Sequence, residues 1–310
     1  MSKIVGTGLI CLDAVASQKH VYKVFAGGSC LNVFVILNTL GWQVYPVGMI
    51  GRDTPASFIL QDLLHWNVDT SFIFQNPRST TPVYVQTITE QGHSFSSQCP
   101  FTGNYFPKYK VLEPEYALQA WQRLPKNVDV FYIERVSLLA LTWAQEYRRN
   151  GALIYFEPNR IDDESLFAEI AAHSHVVKYS RERRSAIQNI TDPLPIPLEI
   201  ETLGSAGSHF RVFRNTSKSG WLHIPPAQVD SFRDACGAGD WLSAMFIHGY
   251  IKAKQQQRED PDFLRTLLTQ SQTWSAKNCA SEGARGMMYQ EHEIIRTANF
   301  SPFSAVHKNE

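Results

Sequence analysis

The sequence has no uninterrupted apolar run of roughly 18 residues, the length a membrane-crossing helix needs. Its first residues, Met1 to Gly6, lack a long apolar segment ahead of a cleavage site, so no secretory leader is indicated. Cysteine is sparse: Cys11, Cys30, Cys99, Cys236 and Cys279 are odd in number, scattered and without C-x-x-C spacing, which argues against a disulfide framework or a zinc site. A cytoplasmic protein with reduced thiols is the expectation. An excess of either charge is also missing, with 29 Lys and Arg against 29 Asp and Glu. A balanced chain offers no general attraction to nucleic acid or to a membrane, so small-molecule partners are favoured. His20, His65, His93 and His248 show no mutual metal-ligand spacing. No repeat, low-complexity linker or composition shift divides residues 1–310, which are read as one domain.

What is present is the composition of a globular protein, 44% hydrophobic and 19% charged, long enough to bury a sizeable core. Lys3 to Leu12 reads as a short apolar strand ending at Asp13, where a carboxylate is well placed for ligand binding in an open α/β sheet. Gly27-Gly28 opens a helical run from Val33 to Leu40, with Asn32 early on it. Val44 to Ile50 is a strand ending in Gly51-Arg52-Asp53. Alternation between Pro82 and Ser97, with a turn at Gln91-Gly92, predicts a partly exposed hairpin. Beyond it, helices and strands alternate: helix at 116–123, strand at 128–133, helix at 138–150, strand at 152–156, helix at 164–173 and strand at 176–179. A strand at 200–203, a hairpin over 210–224 and helices at 241–254 and 263–281 complete the pattern. Such alternation predicts a mostly parallel sheet covered on both faces. The tail after Ser304 has no pattern.

The most informative segment is Asp234-Ala235-Cys236-Gly237-Ala238-Gly239-Asp240 leading into a helix. Small residues there let backbone N–H groups approach an anion, and the helix dipole adds partial positive charge. Asp240 would be repelled by a bound phosphate unless it took a proton from an attacking hydroxyl. Phosphoryl transfer to an alcohol is the chemistry this combination serves. The alternative is a plain strand-to-helix turn with Asp240 as a cap.

Taken in order, Gly27-Gly28 with Asn32, Gly51-Arg52-Asp53, Glu157-Pro158-Asn159-Arg160, Thr202-Leu203-Gly204-Ser205-Ala206-Gly207 and the terminal Gly-Ala-Gly-Asp resemble the ribokinase-like (PfkB) carbohydrate kinases nearly end to end. The resemblance implies a three-layer α/β/α fold with a mostly parallel central sheet and a small β lid. That lid would come mainly from about 79–106, with a short piece at 14–26. It implies Asp240 as the general base, with the 235–239 backbone, Gly237, Ala238 and Gly239 included, as the anion hole. Asp13, Gly28, Asn32 and Glu134 correspond to family positions that touch the sugar, although Glu134 can equally be a strand-end carboxylate paired with Arg135. Thr202 and Gly204 would lie near the phosphates of ATP, Gly207 would also contact the nucleotide, and Asn278 and Gly283 would lie near its adenine. Magnesium is implied with ATP, and potassium for those members that hold a monovalent cation at the position of Asp234.

Two departures stand out. Where members usually carry a glutamate that organises the magnesium, this chain has Arg183, and Glu182 falls one residue early, as a substitute metal contact or not at all. The stretch between Asp13 and Gly27 is short, so the lid would rely on the Pro82 to Ser97 hairpin or be completed by a second copy in a homodimer. The reaction implied is ATP-dependent phosphorylation of a primary hydroxyl on a small sugar or polyol. The alternatives are a nucleoside kinase, favoured by an aromatic cluster such as Tyr84, Phe95 and Phe101, and a catalytically impaired sugar or nucleotide sensor.

Overall fold

A computed structural model describes residues 1–16, 21–89, 92–214 and 216–289. His20, the turn residue Gln91 and the tail after Ser304 lie outside them. The first half of the chain runs β1 (Lys3–Thr7), β2 (Cys11–Ala16), β3 (Val21–Gly27), α1 (Ser29–Thr39), β4 (Gln43–Ile50), α2 (Thr54–His65), β5 (Ile73–Gln75), β6 (Val83–Thr89), β7 (Gly92–Ser96), α3 (Pro114–Arg123), β8 (Val130–Ile133) and α4 (Leu138–Arg149). The second half runs β9 (Leu153–Phe156), α5 (Glu164–His173), β10 (Val176–Ser180), α6 (Arg184–Thr191), β11 (Leu198–Thr202), β12 (Ser208–Arg214), β13 (Ser217–Lys218), β14 (Leu222–Ile224), α7 (Ala238–Lys252), α8 (Gln255–Arg258), α9 (Pro261–Asn278) and α10 (Gly286–Tyr289).

The main sheet has the order β13-β12-β11-β10-β9-β8-β1-β4-β5, with β14 paired to β12. Every pairing from β11 to β5 is parallel, and β12 turns back antiparallel on β11. These strands are short and mostly apolar on both faces, Lys178 of β10 and Glu199 and Glu201 of β11 apart, because each face is covered. One layer packs Leu31 and Phe34 of α1, Ile59 and Leu63 of α2, Phe246 of α7 and Leu264 of α9 on Ile4, Tyr132, Tyr155 and Ile200. The other packs Ala120 of α3, Ala144 of α4, Phe167 of α5 and Ile187 of α6 on Val5, Phe131, Phe156 and Tyr179. This is the expected three-layer α/β/α arrangement. Because β4 and β8 flank β1, the chain reverses direction across the sheet there, and a crevice opens at the carboxyl ends of β1, β8 and β9. Among the described residues no helix is long and apolar enough to cross a membrane.

A second sheet, β3-β2-β6-β7, stands beside that crevice. Its geometry corrects the single strand expected over Lys3 to Leu12. The chain leaves the main sheet after Thr7, because Leu9 N–H is captured by the Glu134 carboxylate (2.7 Å) and only a glycine fits at position 8 against that side chain. Asp13 is therefore inside β2, not at the end of a main-sheet strand. Residues 11–27 supply two of the four strands of this sheet, so it does not rest mainly on the hairpin of β6 and β7. The hairpin is partly exposed, as expected: Phe95 of β7 is exposed, whereas Val83, Val85 and Gln86 of β6 are buried. One face is covered by α2, which packs on β2 and β3. Helix α2 had gone unread, although Asp53 caps it by accepting from Ala56 N–H (3.0 Å) and Pro55 sits in its first turn.

Candidate active site

The crevice is built from strand ends and two helix N-termini. Gly28 enters α1 at φ 97°, and a side chain there would collide with the Leu9 carbonyl. Its carbonyl accepts from Asn32 N–H (3.0 Å), so Asn32 emerges on the first turn of α1, facing α7. Gly237 enters α7 at φ 74°, with no room for a Cβ against Ala284. The opening turn of α7 therefore leaves backbone N–H groups without intrahelical partners at the crevice.

Asp240 lies on that turn and is buried. Asn32 donates Nδ2–H to its Oδ2 at 2.8 Å. Burial pushes the Asp240 carboxyl up to about 7, and Glu157 adds to the rise, against the opposing pull of Asn32, Lys178 and Ser29. Asp13 rises to about 6, mainly through burial, with Cys11 and Arg285 holding it down. Glu134 is also raised by burial, offset by Arg135 and by the Leu9 amide. Asp13, Gly28, Asn32, Glu134 and Asp240 are thus gathered in one place. Three carboxylates at neighbouring positions, each tied to an amide or a cation, can present hydrogen-bond acceptors to several hydroxyls at once.

Behind Asp240 is a charged pair that the sequence reading passed over. Lys178, in the otherwise apolar β10, bonds the Glu157 carboxylate and donates to the Gly239 carbonyl at 2.9 Å. Glu157 also accepts from Tyr132 (2.9 Å) and from Ser243 (2.5 Å), the latter one turn beyond Asp240. A lysine inside the run Val176-Val177-Lys178-Tyr179 was the available signal, since a buried lysine needs a partner. Arg285 was missed as well. It is buried, donates to Asn32 Oδ1 (3.1 Å), to the Ala26 carbonyl (2.7 Å) and to Asp62 (2.6 Å), and so fixes which way the Asn32 amide points.

The remaining candidates separate. Thr202 ends β11, two strands along from β9 on the same carboxyl edge; Gly204 (φ 60°) starts a 3-10 turn and Gly207 (φ 92°) follows it. Asn278 is wholly buried, donating to the Cys236 carbonyl (3.0 Å) and the Gly283 carbonyl (3.3 Å), which places it behind the 234–240 loop as a brace. Asp234 is buried in the same network, accepting from Cys236 N–H, Gly283 N–H and Gln86 Nε2. Glu182 is exposed on the 3-10 turn Arg181–Arg183, and its carboxyl is held low by the Ser180 hydroxyl. Among the described residues no group of three acidic, histidine or cysteine side chains is arranged to hold a metal ion. Phe95 and Phe101 are exposed, whereas Tyr84 pairs in register with Asp13 across β2 and β6.

The sequence model of the pfkB family carbohydrate kinases matches residues 3–265. The chain belongs to this family, and it is a kinase. It is 24% identical over 266 residues, 77% of this chain and 78% of the relative, to the aminoimidazole riboside kinase of Salmonella typhimurium. Its fold is shared with the Vibrio cholerae fructokinase double mutant solved in fructose, ADP and potassium ion bound form (TM-score 0.73, 18% identity, 92% and 94% of the two chains). It is shared too with the Burkholderia thailandensis nucleoside kinase in complex with inosine (TM-score 0.66, 15% identity, 91% and 92%). At such identities these likenesses establish the ribokinase fold, and the site residues of this kinase rest on its own geometry.

Proposed function

We propose that this kinase moves the γ-phosphoryl group of ATP to a primary hydroxyl of a small sugar or sugar-like polyol. The observation that carries the reading is Asp240, a buried carboxylate with raised proton affinity on the opening turn of α7, aimed by the Asn32 amide. A base near neutrality holds the acceptor proton without being too weak to take it. As the acceptor oxygen bonds to phosphorus, its proton passes to Asp240 and the bond to the ADP oxygen breaks. Charge spreading over the transferred group meets the amides that open α7. Asp13, Asn32 and Glu134 orient the polyol, and Thr202 and Gly204 lie on the edge where the nucleotide would run.

Magnesium, supplied with ATP, would offset the phosphate charge during transfer; among the described residues no group of three acidic, histidine or cysteine side chains is arranged to hold it. Glu182 and Arg183 sit on the surface turn after β10, and the reading assigns the ion no ligand there. A nucleoside acceptor is the second reading, favoured by Tyr84 beside Asp13. β7 and β3 are the edges of the small sheet, and pairing of two copies there, in a cytoplasmic homodimer, belongs to the same proposal. The test is ADP release from ATP and magnesium over pentoses, hexoses, ketohexoses, inositols, keto-deoxy acids and nucleosides, beside the Asp240→Asn protein. Turnover with one acceptor that the variant loses supports the assignment. Equal turnover by both proteins removes Asp240 as the base.

A further inference from the structure

A buried polar contact joins the small sheet to the 234–240 loop. Gln86, on β6 and 1% exposed, donates Nε2–H to Asp234 Oδ2 at 2.6 Å. The same oxygen accepts from Gly283 N–H (2.8 Å), and Oδ1 accepts from Cys236 N–H (2.9 Å). The carbonyls around this carboxylate are engaged too. That of Cys236 accepts from the Asn278 amide, that of Gly283 from Asn278 and from Gly286 N–H (3.0 Å), and that of Cys279 from Arg233 N–H (2.8 Å) and Asp234 N–H (3.2 Å). A cation site needs several oxygens converging on one point without hydrogen between them. Here the oxygens are turned toward N–H donors, and the residues do not fit a monovalent ion.

We propose that the Gln86 amide does for this loop what a bound monovalent cation would do. It holds the Asp234 carboxylate, and through it the Cys236 amide and the turn into α7, from the side of the small sheet. Two consequences follow. The anion-binding turn keeps its shape without potassium, and it is set by the position of β6, whose Tyr84 stands on the same face two residues earlier. Phe25 against Gly283 and Lys23 to Glu282 (2.9 Å) reinforce the contact from β3. Gln86 is a positioning residue, acting on the loop and not on substrate.

The proposal rests on the kinase reading only for its rate measurement. Thermal midpoints of the wild type, Gln86→Met and Gln86→Glu are compared in potassium, sodium and tetramethylammonium chloride at equal ionic strength. The wild-type midpoint is expected to be the same in all three salts. Gln86→Met removes the donor and is expected to lower the midpoint in every salt. Gln86→Glu sets two carboxylates face to face and is expected to gain a potassium- or sodium-specific rise of about 3 °C or more over tetramethylammonium. With an acceptor in hand, wild-type kcat is expected to ignore potassium, while the Gln86→Glu rate recovers on adding it. A potassium-specific rise in the wild-type midpoint, or a Gln86→Met protein as stable and active as wild type, overturns the proposal. If both variants fail to fold, the wild-type comparison across salts still decides. If no acceptor turns over, the acceptor assignment fails, and the midpoints decide this question separately.

Discussion

Asn32 and Asp240 stand 208 residues apart in the chain, yet the amide of one donates to the carboxylate of the other at 2.8 Å, at the point where two helix N-termini face each other. Neither residue is held by this bond alone. Arg285 turns the Asn32 amide, and the Lys178 bond to the Gly239 carbonyl anchors the turn that carries Asp240. Asp240 is thus oriented from α1, and Lys178 of β10 favours its charged form.

The acid limb of kcat/KM should follow Asp240. Its carboxyl is raised to about 7, so activity is expected to climb as pH rises through that value and to level off above it. Stability runs the other way. The folded state binds this proton more tightly than the unfolded chain, so the contribution is full below about pH 4 and is lost as pH rises through 7. Asp240→Asn should therefore cut kcat by about 10²–10⁴-fold. It should also raise stability at pH 8 by up to ~2–4 kcal/mol, an order-of-magnitude figure. A pH-rate profile and denaturant melts at pH 5 and 8 check both. A variant less stable than wild type at pH 8 would contradict the assigned sign.

Lys178 and Glu157 should shift that limb in opposite directions. Removing the cation in Lys178→Met takes away a pull that favours the charged base, so the limb moves to higher pH. Removing the anion in Glu157→Gln moves it to lower pH. Each single change also strands a buried partner and should cost about 3–5 kcal/mol. The double variant should recover part of that stability without recovering the rate, because the Gly239 carbonyl still lacks its donor. Urea melts of the cycle separate the two effects.

Gly237→Ala should damage the anion hole without touching any titrating group. The position holds φ 74°, and an added methyl meets the Ala284 backbone, which cannot swing aside as a side chain could. Left-handed backbone alone costs about 1–2 kcal/mol outside glycine, and the collision adds to it. The expected result is a lower thermal midpoint and weaker ATP protection of that midpoint, with the pH limb of any residual activity unmoved.

Much of this was legible in the sequence because it depends on local patterns. Alternating apolar strands and helices foretold the layered sheet, and Gly237-Ala238-Gly239-Asp240 marked the turn into α7 on which the proposed chemistry rests. What escaped depends on distant pairing. The start of β2 could not be told from an extension of β1, since the break is made by Glu134 more than a hundred residues later. Arg285 and Gln86 look like ordinary surface residues until the fold buries them against Asn32 and Asp234, and Lys178, though conspicuous in its apolar strand, gains its partner Glu157 only from the neighbouring strand. Asn278 was expected to face the nucleotide, whereas helix α9 ends in such a way that its amide points into the loop.

Tyr84 offers the sharpest test of what the acceptor is. Its ring lies across from Asp13 on the site-facing side of the small sheet, near Glu134 and Arg135, and burial with the neighbouring acids raises its hydroxyl above the ordinary tyrosine value. An aromatic face in that position is worth about 1–3 kcal/mol to a stacked base, which is roughly 5- to 150-fold in affinity. A simple sugar, bound through hydroxyls by Asp13, Asn32 and Glu134, gains far less from the ring. Tyr84→Ala is therefore expected to raise KM for a sugar by less than about 3-fold while sparing kcat. If the acceptor is a nucleoside, kcat/KM should fall by the larger factor, and Tyr84→Phe should restore it. Measuring both variants against the best acceptor of each class separates the two readings through the size of the loss, whatever the absolute rate.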